Sequence, residues 1–282
     1  MKKTCLIISG LLIALVIVSL VLTLLQKKIP LKYKLALVRI EGPIMDSKDL
    51  VEEIREHAKD ISVKAIILRI DSPGGAVAPS QEIYAEVKKA LEKKQVIVSM
   101  GSLAASGGYY IAAPATRIFA NPGTLTGSIG VIMEIPNVEE LMKKIGIKSE
   151  VIKSGKNKDM ASAFRTMQPE GRQILQGVLD NVHDQFIKAV ADGRKMTLEE
   201  VRALADGRIF SGEQALAVKL VDELGTLDDA TKAAAKMAGL GEDPEVATKK
   251  DKLSFFDIVR GKFPREFSDI IPGVKIKYQY AP

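Results

Sequence analysis

The sequence is poor in the side chains that most often build reactive centres. Its 282 residues include one cysteine and two histidines. A single cysteine, Cys5, cannot form a disulfide within the chain, and the spacing of Cys and His typical of a zinc site is absent. We therefore expect neither a metal nor another cofactor. His57 and His183 fall in stretches with helical periodicity, which leaves few candidates for a Ser-His-Asp triad.

Strongly basic segments of the kind that bind nucleic acid are also missing. The net charge is +6, with both signs interspersed. No run of Lys and Arg is interleaved with aromatic residues, so we expect no nucleic-acid partner. With 46% hydrophobic residues, the chain is long enough to bury a sizeable core.

One long uncharged segment lies near the beginning of the sequence, from Cys5 to Leu25. It is long enough to span a bilayer as a helix. It exceeds the apolar region of a signal peptide, and no small-residue cleavage site follows before Gln26. The segment predicts one uncleaved N-terminal transmembrane helix within a membrane anchor over residues 1–28. Lysines flank both ends, so charge alone leaves the orientation open.

The next part of the sequence alternates apolar strands with amphipathic helices. This alternation predicts βαβ crossovers and an α/β fold with a mostly parallel sheet. Three capping boxes, at Thr197, Ser211 and Thr226, predict further helix starts. The predicted strands are Lys34–Ile40, Val63–Ile70, Gln95–Met100, Arg117–Ala120 and Ile147–Lys153, and the predicted helices are Ser47–Lys59, Ser80–Lys94, Asn137–Lys144 and Pro169–Gly193.

The stretch around Ser106 is the strongest candidate for a reactive centre. A buried strand is expected to break at Gly101, and small residues then lead into a helix. Ser106 is the nucleophilic side chain at the positive end of that helix. Gly107 has no Cβ, so its N–H can approach a bound carbonyl closely. The alternative interpretation is an ordinary capping serine.

A serine hydroxyl needs a base, and no histidine lies in these stretches. A lysine could serve if burial lowered its pKa toward neutrality. Lys153, Lys156 and Lys158 lie in or beside a polar loop, where the alternative is a solvated charge. The turn Asp71–Gly75 could lie beside Gly107 in a parallel sheet and add N–H donors for an oxyanion.

Four motifs then occur in one order, and two further blocks follow them. Together they resemble the bacterial signal peptide peptidase SppA family of the short, single-repeat type, over roughly Leu35 to Lys236. The motifs are Asp71-Ser-Pro-Gly-Gly75, Met100-Gly-Ser-Leu-Ala-Ala-Ser-Gly-Gly-Tyr-Tyr110, Leu125-Thr-Gly-Ser-Ile-Gly-Val-Ile-Met133 and Ile152-Lys-Ser-Gly-Lys-Asn-Lys-Asp-Met160. The two further blocks are Ala205-Asp-Gly-Arg-Ile-Phe-Ser-Gly-Glu-Gln-Ala215 and Leu220-Val-Asp-Glu-Leu-Gly225.

The resemblance implies a serine protease with a Ser-Lys dyad on a Clp/crotonase-like ββα superhelix. Carried onto this sequence, it makes Ser106 the nucleophile and Lys158 the general base, with Lys153 and Lys156 as bystanders. Ser128 matches the serine that orients the base. The main-chain N–H groups matching the oxyanion hole belong to Gly74 or Gly75, between which the sequence does not decide, and to Gly107. The loop departs slightly from the family pattern at Asn157 and at residues 161–163.

The implied function is a membrane-anchored serine endopeptidase that degrades remnant signal peptides and other extended, apolar peptides. The resemblance also implies a homo-oligomeric ring and a single-pass protein of the inner (plasma) membrane, with its catalytic domain on the extracytoplasmic side. The peptidase domain would cover residues 29–240, and the tail over residues 241–282 is expected to be less ordered or docked on a partner.

Several alternatives share parts of this pattern. A related Ser-Lys membrane protease that acts on a stomatin-like partner would have the same fold and dyad. A catalytically silent oligomeric membrane scaffold would lack a reactive Ser106. A crotonase-type acyl-CoA enzyme would need an acid or another base near the oxyanion hole and no membrane span. An α/β-hydrolase would need Gly-x-Ser-x-Gly and a histidine, whereas this chain has Ala104 at the first glycine.

Overall fold

The computed structural model describes residues 12–19, 33–241 and 243–248, together with the main chain of Ile276–Gln279. It separates into two units, Met1–Tyr33 and Lys34–Pro282. In the first unit, residues 12–19 are helical and their large apolar side chains are exposed. The rest of the predicted anchor over residues 1–28 lies outside the described residues. Over the described ranges, no helix has both the length and the apolar character needed to cross a membrane.

The second unit is organised around a mostly parallel sheet. The strands are Lys34–Glu41 (β1), Val63–Ser72 (β2), Gly74–Ala76 (β3), Gln95–Ala105 (β4), Arg117–Ala120 (β5), Leu125–Gly127 (β6), Ile132–Met133 (β7), Ile209–Ser211 (β8), Glu223–Leu224 (β9), Glu245–Thr248 (β10) and Ile276–Gln279 (β11). The order β10-β1-β2-β4-β5-β9 is parallel throughout. Strand β6 extends the sheet beside β4 and pairs antiparallel with β8. The prediction of an α/β fold with a mostly parallel sheet is confirmed.

Helices follow the strands along the chain. They are Lys48–Lys59 (α1), Val77–Leu91 (α2), Gly107–Ala112 (α3), Glu139–Lys144 (α4), Pro169–Arg194 (α5), Leu198–Leu204 (α6), Gly212–Ala217 (α7) and Leu227–Met237 (α8). The capping boxes predicted at Thr197, Ser211 and Thr226 are present. In each box, the hydroxyl accepts the N–H of the residue three positions later, which satisfies one of the free donors at the helix start.

Both faces of the sheet are buried, which explains why its strands are nearly continuous apolar runs. On one face, Ile66, Leu68 and Ile70 of β2 belong to a core that includes residues of α1, α2, α3 and α5. On the other face, Ala65 and Ile67 pack in a smaller core with alanines of α8. Each fully buried Ile or Leu contributes about 1.5–3 kcal/mol of hydrophobic stabilisation. The carboxyl ends of β2 and β4 are therefore held rigidly side by side.

The predicted elements differ from the structure at three places. Strand β4 does not break at Gly101 but continues to Ala105. The glycine instead lets the side chain of Asp71 approach, since a Cβ at position 101 would lie 2.6 Å from Asp71 Oδ2. The segment Ile147–Lys153 is exposed and is not a strand, because none of the described strands pairs with it. Helix α2 begins and ends three residues earlier than predicted, at Val77 and Leu91.

Two short strands of the predicted tail over residues 241–282 pair with the rest of the second unit. Strand β10 adds to the sheet edge beside β1. Strand β11 lies between β3 and β7 in a separate three-stranded antiparallel sheet. The remainder of that tail, apart from residues 241 and 243–244, lies outside the described residues.

Candidate active site

Ser106 lies where β4 ends and α3 begins, at the carboxyl edge of the parallel sheet. It has φ 54° and ψ −119°, a left-handed backbone conformation that costs a non-glycine residue about 1–3 kcal/mol. The turn is held on both sides: the Ser106 N–H donates to the Gly127 carbonyl at 2.8 Å, and the Ser106 carbonyl accepts the Tyr110 N–H at 2.8 Å. Ser106 is only 1% exposed, and its Oγ has no hydrogen-bond partner among the residues that the structure describes.

Glycines bring a second main-chain segment close to Ser106. A Cβ built on Gly107 would lie 3.3 Å from Gly74 Cα and 3.3 Å from the Gly75 nitrogen. It would also lie 2.5 Å from the hydroxyl of Ser80, which donates to the Ala76 carbonyl at 2.9 Å. Only glycine therefore allows this close approach of β3 and α3. The structure brings together the glycines that the sequence pattern had placed in two separate motifs.

The two glycines of β3 differ in what their N–H groups do. The Gly74 N–H donates to the Ser72 hydroxyl at 3.1 Å, and that hydroxyl donates to the Gly42 carbonyl at 2.6 Å. The N–H and carbonyl of Gly75 face the opposite edge of β3, because the Gly74 carbonyl and the Ala76 N–H both bond to Ile44. Ser72 lies within the Asp71–Gly75 motif but was not among the residues predicted for the site.

Ser128 directly follows β6, the strand whose last residue, Gly127, accepts the Ser106 N–H. It has φ 50°, is 7% exposed, and its N–H donates to the Arg208 carbonyl at 2.9 Å. It lines a cavity of about 480 Å³ whose other walls include Asp180, His183 and Asp206. The Nε2 atom of His183 is buried without a hydrogen-bond partner. Among the described residues, the lining of this cavity thus includes one buried polar atom without a hydrogen-bond partner, His183 Nε2.

Lys158 lies on an exposed loop and is not hydrogen-bonded to Ser106 Oγ, which has no partner in this single chain. The other two lysines of the loop are paired: Lys153 Nζ lies 2.6 Å from Asp159 Oδ1, and Lys156 Nζ lies 2.5 Å from Glu170 Oε2. Among the described residues, Lys158 has no such acidic partner. The hydrogen bond from Lys153 lowers the pKa of the Asp159 carboxyl, and the Arg165 charge adds to this effect.

The segment that carries Lys158 also exposes an unusual amount of apolar surface. Between β7 and α5, six large apolar side chains are between 43% and 103% exposed; they are Leu141, Ile145, Ile147, Val151, Ile152 and Phe164. We refer to residues 134–168 as the arm. Apolar side chains grouped in this way mark a surface that contacts another molecule.

Neither histidine is bonded to Ser106. His57 lies on α1 with Nε2 3.8 Å from Glu53, and His183 lies on α5. No group of His, Cys, Asp and Glu side chains with the arrangement of a metal site occurs among the residues that the structure describes.

Comparison with known proteins identifies the class of enzyme. A sequence profile for Peptidase family S49 matches residues 88–241, which include Ser106, Ser128 and Lys158. The chain belongs to peptidase family S49. It is 46% identical over 211 residues to a Synechocystis sp. protein provisionally named a protease, covering 74% of this chain and 76% of that protein.

Two further relatives give the same answer. Protease 4 of Salmonella typhi is 41% identical over 216 residues, which are 73% of this chain and 35% of that protein. An Enterococcus faecium protein provisionally named signal peptide peptidase SppA is 36% identical over 210 residues, which are 74% of this chain and 61% of that protein. This S49 chain is therefore a serine peptidase of the SppA type, as the motifs predicted.

Proposed function

We propose that this S49 peptidase is a membrane-anchored endopeptidase in which Ser106 is the nucleophile. The observation that carries the proposal is the Ser106 hydroxyl, which is 1% exposed and without a hydrogen-bond partner. A buried hydroxyl without a partner costs about 1–3 kcal/mol, and the left-handed backbone adds a similar cost. Two destabilising features at one residue, a strained backbone and an unpaired buried hydroxyl, are typical of catalytic positions.

The main-chain N–H groups of Gly75 and Gly107 are the proposed oxyanion donors. Gly74 is the weaker candidate because its N–H already donates to Ser72 at 3.1 Å. The Gly75 nitrogen lies near Gly107, and its N–H faces away from Ile44, toward the edge of β3 that pairs with β11; a substrate carbonyl would accept this N–H in place of β11. Two preorganised donors of this kind stabilise the charge that develops on a peptide carbonyl during attack.

Lys158 is the proposed general base, and we infer that it is supplied by a neighbouring copy of the chain. Its loop is exposed, it has no acidic partner among the described residues, and its arm carries apolar side chains that a second copy would cover. Transfer into the site of another copy would remove the amine from water and favour its neutral form. Ser128, which lines the same cavity as His183, is the residue proposed to orient the Lys158 amine. This arrangement requires a homo-oligomer, such as a ring.

The reaction follows from these positions. The neutral amine of Lys158 takes the proton of Ser106 as Oγ attacks the peptide carbonyl, and the carbonyl oxygen becomes an oxyanion held by Gly75 and Gly107. The ammonium of Lys158 then gives its proton to the leaving amine as the C–N bond breaks. Water, deprotonated by the same lysine, attacks the acyl-enzyme and releases the carboxylic acid and free Ser106.

The proposed substrates are remnant signal peptides and other extended, apolar peptides. One relative carries signal peptide peptidase in its name. The proposed anchor is the uncharged segment Cys5–Leu25, part of which is helical with exposed apolar side chains. We place the protein in the plasma (inner) membrane with its catalytic unit on the extracytoplasmic side, and assign the ββα superhelix of the Clp and crotonase type to the peptidase domain.

The decisive experiment measures peptide hydrolysis by Ser106→Ala and Lys158→Ala. Each is expected to lower kcat by at least about 10³-fold, since nucleophile and base act as a unit. Lys156→Ala, which breaks an ion pair in the same loop, is the matched control and is expected to remain active. A fluorophosphonate should label Ser106 in the wild type and not in Ser106→Ala. Full activity of Lys158→Ala would end the proposal for the base, and a chain that never labels would favour a silent scaffold.

Co-expression of the two inactive variants tests whether the base comes from another copy. Random mixing should restore about one quarter of wild-type activity, because one site in four then combines an intact Ser106 with an intact Lys158 of its neighbour. No recovery would contradict a base supplied by a neighbour.

A further inference from the structure

The cavity beside Ser128 is lined by two polar side chains that have no hydrogen-bond partner among the described residues. Ser128 is 7% exposed, and its hydroxyl makes no hydrogen bond within those residues. His183 Nε2 is buried and also has no partner there. Both side chains line the same space of about 480 Å³. Because leaving a buried polar group without a partner is destabilising, the presence of both in one cavity calls for a functional explanation.

The main chain at Ser128 is held firmly in place. Its φ is 50°, and its N–H donates to the Arg208 carbonyl at 2.9 Å. Two residues later, a Cβ built on Gly130 would lie 3.3 Å from Gly207 Cα, so the two segments are in close contact. With the backbone fixed in this way, the remaining freedom of Ser128 is the rotation of its side chain and of its O–H bond.

Helix α5 forms another wall of the cavity. Four of its residues line the space at intervals of three and four, which places them on one face of the helix; they are Gln176, Leu179, Asp180 and His183. One turn further on, Phe186 and Ile187 are 0% and 1% exposed, so the core anchors the helix beside His183.

The carboxylates of this cavity have other partners. Asp180 Oδ1 accepts a hydrogen bond from Gln176 Nε2 at 2.7 Å, and Asp206 is paired with Arg208. Within the described part of the chain, neither carboxylate is bonded to His183, and no Lys or Arg lines the cavity. The His183 imidazole is therefore available to the Ser128 hydroxyl.

The proposed reaction makes a specific demand on that hydroxyl. A neutral Lys158 amine has one lone pair, and this lone pair must accept the Ser106 proton. A Ser128 hydroxyl that donated to the amine would occupy the lone pair. It must instead accept an N–H of the amine and donate its own proton to a different acceptor. A neutral imidazole has one acceptor nitrogen and can fill this role.

We propose that His183 Nε2 accepts the Ser128 hydroxyl proton, and that His183 is thereby a positioning residue for the base. The two groups are not bonded in the single chain, so the contact forms, directly or across one water molecule, when Lys158 of a neighbouring copy enters the site. The hydroxyl then turns its lone pair toward the amine. The proposal rests on the proposed function, because it needs Ser106, Ser128 and Lys158 to form one site.

Two substitutions at His183 test whether an acceptor is needed. His183→Leu removes it, so kcat for peptide hydrolysis should fall about tenfold while KM changes less than about twofold, since the contact acts on the base and not on the substrate. His183→Gln keeps an oxygen acceptor at about the reach of Nε2 and should retain kcat within about threefold of wild type. Gln176→Leu makes a polar-to-apolar change on the same wall and is the matched control, with kcat expected within about twofold.

A double-mutant cycle distinguishes positioning from a purely structural role. In Ser128→Ala no hydroxyl remains to be oriented, so adding His183→Leu should lower kcat less than about twofold further. A further tenfold loss in that background would overturn the proposal, and so would full activity of Ser128→Ala or of a folded His183→Leu protein. Thermal unfolding of each variant checks the fold. If His183→Leu does not fold, His183→Asn replaces it, because its shorter amide cannot reach the position of Nε2; activity equal to that of His183→Gln would then refute the role of the acceptor. Failure of the proposed function is a separate result, which would appear as hydrolysis by Ser106→Ala or Lys158→Ala.

Discussion

Gly107→Ala tests the site at the point where its two main-chain segments meet. The new methyl group would lie 2.5 Å from Ser80 Oγ and 3.3 Å from both Gly74 Cα and the Gly75 nitrogen. An ordinary contact needs about 3.4–4 Å, so residue 107 must move roughly 1 Å away from Ser80 on α2 and a few tenths of an ångström away from β3. A displacement of this size can cost about 10²-fold in rate when it moves a catalytic group. We therefore expect kcat to fall about 10²-fold.

The same variant should fold. Gly107 does not have a positive φ, so alanine is compatible with the backbone, and the overpacking cost is about 1–3 kcal/mol. The assay is peptide hydrolysis at varied substrate concentration, with thermal unfolding measured by circular dichroism on the same sample. Gly123→Ala is the matched control, because a Cβ there meets nothing within 4 Å. The reasoning would be refuted by a folded Gly107→Ala protein whose kcat stays within about twofold of wild type.

Adding Ser80→Ala to Gly107→Ala separates the two contacts. It removes the hydroxyl at 2.5 Å and leaves the two contacts at 3.3 Å, so it should restore part of the lost rate. If activity returned completely, the contact with Ser80 alone would explain the effect and β3 would not be displaced.

Two further predictions concern the supports of the site. Ser72→Ala leaves the Gly42 carbonyl and the Gly74 N–H without their partner, so the free energy of unfolding measured in urea should fall by about 1–3 kcal/mol, and an unchanged value would contradict this. In the arm, a hydrogen bond from Lys143 and smaller contributions from hydrogen bonds of Thr166 lower the pKa of the Glu139 carboxyl to about 2. This stabilisation is present above the unfolded carboxyl pKa of about 4.3 and is lost as pH falls toward 2, so the arm should become protease-sensitive over that range. In Glu139→Gln the arm should be equally sensitive at pH 3 and pH 6; a retained pH dependence would point to another group.

Local sequence patterns predicted the framework of the fold well. The buried strands β1, β2 and β5 follow from short apolar runs between turn residues, and the long helix α5 follows from its repeat of apolar residues every fourth position. The starts at Thr197, Ser211 and Thr226 follow from capping boxes, because a capping box satisfies donors within one turn of chain. Features that depend only on neighbours in sequence are readable from the sequence.

Features that depend on contacts between residues far apart in sequence could not be predicted from the sequence. The sequence pattern predicted a strand break at Gly101, but this glycine instead leaves room for the side chain of Asp71 on the neighbouring strand β2. The Gly74 N–H donates to the Ser72 hydroxyl, and Ile44 sets the direction in which the Gly75 N–H points; both contacts arise only in the folded chain. The position of β11 between β3 and β7 depends on two strands far from it in sequence and has no local pattern.

The ion pairs of the loop give a further reason to propose Lys158, and not Lys153 or Lys156, as the general base. Lys153 forms an ion pair with Asp159, and Lys156 with Glu170. Moving either amine into the site of another copy would leave its carboxylate without an ion-pair partner. Lys158 breaks no ion pair among the described residues when it moves, and its stem extends from a loop whose apolar neighbour Ile152 is fully exposed. The ion pairs instead hold the loop in shape on either side of it. Under this proposal the isolated chain, whose Ser106 is buried and has no hydrogen-bond partner among the described residues, would be inactive until copies assemble.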